Sequence, residues 1–142
     1  MSDSQDIRRA LENRLNGGSY TGITNSTDIA WENIQFDPTA KSAWLRPKLS
    51  ITEIIPATAD STGTEKWTGV FYVDAFLKEN TGGTAVLDDL ADDIKARFAK
   101  GLQITENSEI INIRYSQRGG FINDSPWIFC PLAFTWYAYI TP

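Results

Sequence analysis

The chain has 142 residues, no histidine and one cysteine, Cys130. Without an imidazole, histidine-based acid–base catalysis and every triad that uses histidine as its base are excluded. One thiol cannot form a disulfide within the chain, and with no histidine beside it there is no ligand set for zinc, haem or an iron–sulfur cluster. Nucleotide-binding glycine loops are missing as well: neither a Walker A sequence nor G-x-G-x-x-G occurs, and the Asp-x-Asp-x-Asp-Gly order of a calcium loop is absent. No apolar run reaches 18 residues, and the first six residues are polar and acidic, so neither a membrane span nor a signal peptide is expected. Basic excess is lacking too. The 13 Lys and Arg against 18 Asp and Glu give a net charge of −5, without the electrostatic footprint of a general nucleic-acid binder. These absences make an enzyme the least expected reading and imply no cofactor.

What is present is a composition of 42% hydrophobic and 22% charged residues, enough for one globular domain over residues 1–142 to bury a core without staples. After Ser4, read as an N-cap, Ile7, Leu11 and Leu15 recur every fourth residue with Ala10 beside them, and Gly17-Gly18 follows as a stop. This predicts an amphipathic helix. Residues 19–28 read as a surface loop and 29–35 as a short strand. Residues 42–55 and 65–77 alternate with period 2 and predict an antiparallel hairpin, with Pro47 marking an edge, bulge or bend. Thr84 is the expected N-cap of a second helix ending at Lys100, with Leu87, Leu90, Ala91, Ile94 and Phe98 on its apolar stripe. Residues 109–115 predict a strand. Residues 117–120 and 123–126 read as turns, and 127–140 as an aromatic strand in which Pro131 suggests an edge or bulge. Together these predict an α+β domain: an antiparallel sheet with a long hairpin and two helices packed on one face.

Three groups of residues are candidates for function. The hairpin tip, Pro56, Ala57, Thr58, Ala59, Asp60, Ser61, Thr62, Gly63 and Thr64, is small and polar, as in loops that order on a partner. Asp88, Asp89, Asp92 and Asp93 share the outer face of the second helix. They could hold a divalent cation or face a DNA channel, although a solvated helix face is the simpler reading. Phe134, Trp136, Tyr137 and Tyr139 place bulk on both faces of the last strand, which suggests a neighbouring subunit. Cys130, among Ile128, Phe129 and Leu132, reads as a small buried hydrophobe, and Thr81-Gly82-Gly83-Thr84 as a helix-entry turn and not an anion nest.

The order and spacing of several local motifs resemble the tail terminator (tail-tube capping) proteins of long-tailed bacteriophages. The resemblance is carried by the run from Ile7 to Leu15, by Ile29-Ala30-Trp31-Glu32-Asn33-Ile34-Gln35-Phe36 with Pro38, and by Trp44-Leu45-Arg46-Pro47. It continues through the run from Lys66 to Asp74 and a Gly82-Gly83 turn opening the run from Leu90 to Phe98. Each motif is structural and none is catalytic. The resemblance implies a structural virion subunit, assembled in the host cytoplasm, that forms a hexameric ring on the tail tube at the head–tail junction. Such a ring ends tail elongation, contacts the tail-tube protein and the head-completion (stopper) protein, and lets DNA pass without specific binding. It implies no catalysis, no cofactor and no membrane. A tail-tube or head-closure (neck) protein is the alternative of the same class, and a ligand-binding module using the tryptophans is the alternative from another.

Overall fold

A computed structural model describes residues 3–58 and 63–141. The elements run α1 (Asp3–Asn16), β1 (Ala43–Pro56), β2 (Glu65–Lys78), α2 (Gly83–Arg97), β3 (Gln103–Glu106), β4 (Glu109–Arg118), β5 (Ile122–Asp124) and β6 (Trp127–Ile140). The strands form one antiparallel sheet in the order β1-β2-β6-β4-β3, and β5 pairs with the start of β6. Both helices pack on one face of this sheet, so the α+β expectation holds. Alternation decides which residues face them: Phe71, Val73, Ala75 and Leu77 from β2, and Cys130, Leu132, Phe134, Trp136, Ala138 and Ile140 from β6, are buried on that face. They meet Ile7, Ala10, Leu11 and Leu15 of α1 and Leu87, Leu90, Ala91 and Ile94 of α2.

The two helix C-termini are tied together. Arg14 Nε donates to the Arg97 carbonyl at 3.0 Å and Arg97 Nε donates to the Arg14 carbonyl at 2.8 Å. Each guanidinium thus serves a last-turn carbonyl that its own helix leaves unpaired. The Tyr20 hydroxyl donates to the Leu15 carbonyl beside them, and burial pushes that phenol up to about 12 despite the neighbouring arginines.

Several boundaries depart from the sequence expectations. α1 is already helical at Asp3, so Ser4 lies inside the first turn and is not its cap. α2 is entered through Gly82 and Gly83, both at positive φ, with Gly82 as the N-cap in place of Thr84. It closes at Arg97 and not at Lys100, because the Ser116 hydroxyl takes the Phe98 carbonyl and the Gly101 amide turns to the Ile113 carbonyl. The strand expected over 29–35 reduces to a single parallel bridge, Ile29 to Leu45, after which Asn33 at φ 59° turns the chain away. β3 and β5, at four and three residues, are too short to show a period in sequence.

The two prolines differ in kind. Pro47 lies in β1, which pairs only with β2, so an edge strand is what the structure shows. Leu45 and Leu49 turn their amides to the open side of β1, and Pro47 between them places its missing donor there. β6, by contrast, is central, and the expected edge or bulge at Pro131 is corrected. The Pro131 carbonyl accepts the Gly119 amide, and since a residue's nitrogen and carbonyl point to the same side, the missing donor faces the gap between β4 and β5.

Candidate assembly interface

β2 is paired with β6 along its whole length, so β1 is the outer strand of the hairpin, and the part of it beyond Leu49 forms an arm. In β1 the near half, from Ala43 to Leu49, is largely buried, whereas every residue from Ile51 to Pro56 is exposed. Ile51, Ile54 and Ile55 are 36%, 46% and 42% exposed on this arm, on both faces of the hairpin. A bulge between Ile51 and Glu53 separates the two halves, and there Gly69 of β2 lies under the Trp136 ring and the Ser50 carbonyl. A Cβ at Gly69 would stand 2.1 Å from that oxygen, so only glycine fits. At the tip, the Ala57 and Thr58 amides both donate to the Thr64 carbonyl, at 2.8 and 3.2 Å. Of the predicted loop, residues 59–62 lie outside the described residues.

The open edge of β1 is covered along its near half only. The Leu45 amide donates to the Asp28 carbonyl and the Ala30 amide to the Leu45 carbonyl. Glu32 Oε1 then accepts the Leu49 amide at 2.6 Å and Arg8 at 2.7 Å, joining the edge to α1. Asp28 is fixed in turn by the Thr24 amide, Thr27 and Lys41. Burial pushes the Asp28 carboxyl up, but these donors together hold it below the usual aspartate range.

On the sheet face away from the helices, the 30–38 segment covers a small aromatic cluster. Trp44 stacks on Phe76 with centroids 4.0 Å apart and meets Phe36 and the edge of Trp127. Beside it runs a groove of about 810 Å³, walled by Trp31, Ile34 and Pro38 on one side and by Arg46, Lys48 and Tyr72 on the other. Arg46 is held to Asp74 at 2.9 Å. Lys48 is exposed and has no ion pair or hydrogen bond among the described residues, and Ile34 is 65% exposed.

The four aromatics of β6 divide by parity. Phe134 and Trp136 point to the helices and are fully buried in the chain's own core, which corrects the expectation that they lie at a subunit surface. Phe134 stacks on Phe98 at 4.8 Å. Tyr137 and Tyr139 face the other way, with Tyr139 53% exposed and the Lys66 ammonium over both rings at 5.2 and 6.0 Å. The alternation of large residues on both faces was legible, but which face the helices would take was not.

The four aspartates of α2 also divide. Asp88 and Asp92 both hold Arg118 of β4, and Asp93 accepts the Thr21 amide and hydroxyl at 2.8 and 2.7 Å. Asp89 alone has no such partner among the described residues. Burial pushes the Cys130 thiol up although Arg118 lies near, as befits an inert core residue. Missed in sequence was a meeting of Asp3, Asp6 and Glu109, whose carboxylate oxygens lie within 4.8 Å of one another. Asp6 is buried and accepts from Asn107, and burial together with Asp3 and Asp6 raises the Glu109 carboxyl. Three carboxylates in this spacing could share a divalent cation, but more than 100 residues separate Asp6 from Glu109, so no local motif signals them.

No helix among the described residues is long and apolar enough to cross a membrane. Residues 6–136 match the family of phage tail terminator proteins. A solved structure superposes with a TM-score of 0.78 at 21% identity, covering 100% of this chain and 99% of the other, which supports the fold. No curated protein matches. The chain belongs to the phage tail terminator family, and its place is structural, in the virion tail.

Proposed function

We propose that this tail terminator subunit caps the tail tube as a closed ring, most simply of six copies, ends tail elongation and offers the joint to the head-completion protein. The observation that carries the reading is the exposed apolar surface of the hairpin arm, Ile51, Ile54 and Ile55, which nothing among the described residues closes. A lone subunit with such a patch along an open strand edge suits contact with another chain. The tip around Pro56 and Thr64 is assigned to the tail tube or the head-completion protein. Asp89 and Asp92, the exposed acids of α2, are assigned to the wall that DNA passes, where negative charge keeps phosphates from sticking. Three of the five tryptophans, Trp44, Trp127 and Trp136, are buried in the chain, which weighs against a tryptophan-lined ligand module.

Native mass spectrometry of the free subunit, paired with electron microscopy of tube ends mixed with it, tests the ring. A closed ring alone or on tube ends is expected. Strictly monomeric protein that leaves tube ends bare overturns the reading, and extended tubes grown from this subunit alone indicate a tail-tube protein instead.

A further inference from the structure

Resting on the ring reading, we infer that subunits join head to tail, the β1–β2 arm of one copy lying in the groove between the 30–38 segment and the β1–β2 face of the next. The occupant is a second copy of this chain. Both halves of such a contact are present on one molecule and at different places, which is the arrangement that builds a closed ring when the rotation between copies closes. The arm supplies Ile54 and Ile55, exposed and apolar, and an open strand edge that the 28–32 segment does not reach. The groove supplies Trp31, Ile34 and Pro38 as apolar lining.

Charge fits the same assignment. Glu53, on the arm, is exposed and has no ion pair among the described residues, and Lys48, on the groove wall, is likewise exposed and unpaired. Within one chain both belong to β1, five residues apart along an extended strand, so they cannot meet each other. Across two copies an arm seated in the groove brings the carboxylate to the ammonium. Arg46 beside it is already held by Asp74, which leaves Lys48 as the cation that selects the arm.

The test uses the whole chain in two variants. The arm variant carries Glu53→Lys, Ile54→Thr and Ile55→Thr, and the groove variant carries Ile34→Thr and Lys48→Glu, all at exposed positions where thermal melting should stay close to that of the parent. Self-association of each variant, by native mass spectrometry, should weaken on the order of a hundredfold. Mixed, the two should associate, because the intact arm of the groove variant meets the intact groove of the arm variant. A chain carrying Glu53→Lys and Lys48→Glu together should regain assembly, and if the parent assembles only on tube ends, capping of tubes gives the same readout for the single and double swaps. Variants that assemble like the parent, or a mixture that stays monomeric, overturn the arm-in-groove contact while leaving the ring intact. A parent chain that assembles neither alone nor on tubes overturns the ring, and the contact with it.

Discussion

The two halves of β1 have the same partner strand and nearly the same apolar content, yet one is closed and the other open. From Ala43 to Leu49 the inward side chains meet the helices, and the outer edge is bonded at Leu45 by Asp28 and Ala30 and at Leu49 by the Glu32 carboxylate. From Ile51 onward every residue of β1 is exposed, and among the described residues no segment bonds to its outer edge. Soluble proteins ordinarily blunt an exposed apolar edge with lysine, proline or a cover. The near half has all three devices, in Lys48, Pro47 and residues 28–32, and the far half has a bulge, Glu53 and a proline only at its last residue, Pro56. On the proposed ring this difference divides the strand by use, one half for folding and one for association.

The sharpest way to break this division is at its joint. Trp136→Ala removes a fully buried ring beneath the point where the arm leaves the body, and should lower stability by about 3–5 kcal/mol, read by thermal or denaturant unfolding. Gly69→Ala acts at the same joint by overfilling it, since the new methyl meets a backbone oxygen and the Trp136 ring, and about 1–3 kcal/mol of destabilisation is expected. If Gly69→Ala melts like the parent, the arm and body are not rigidly joined there. Next in size is Glu32→Ala, which strips the acceptor from the Leu49 amide and should cost about 1–2 kcal/mol. Glu32→Gln keeps an acceptor while losing the Arg8 ion pair, and should cost less than about 1 kcal/mol. Equal losses for the two would mean that the ion pair, and not the edge cap, matters.

The parts legible in the sequence are those whose signal is local and repeated. The stripes of α1 and α2 and the alternation of β1, β2 and β6 survive because each buries one face against a single neighbour. Elsewhere the deciding interaction is distant. Residues 29–35 have the look of a strand, but Glu32 turns aside to cap Leu49 and Arg8, 17 and 24 residues away in sequence. Pro131 resembles an edge marker until the break between β4 and β5 supplies a gap for its missing donor. The aspartates of α2 share a face as expected, but Arg118 and Thr21, which divide them, come from other elements. The arm could be read as a hairpin and not as an uncovered one, because cover is a property of what lies beside a strand.

An effect of similar small size tests whether the near half depends on its cover at all. Asp28 anchors that cover through its side chain while its own carbonyl receives the Leu45 amide, and its carboxyl is held below the ordinary aspartate value by the Thr24 amide, Lys41 and Thr27 against the opposing effect of burial. A lowered folded pKa means that the unfolded chain takes up the proton first as pH falls. The contribution of Asp28 is therefore fully present above the ordinary aspartate pKa and is lost as pH falls through the depressed folded value. Asp28→Asn should cost about 1 kcal/mol near neutral pH, and the gap between parent and variant should narrow only in acid, below the ordinary carboxylate range. Amide exchange should locate the change at Ala30 and Leu45 and leave the arm from Ile51 to Pro56 untouched. A gap that stays constant down to strongly acidic pH would show that the Asp28 charge does not hold the cover, and that the near edge is closed by the backbone bridge at Leu45 and by Glu32 alone.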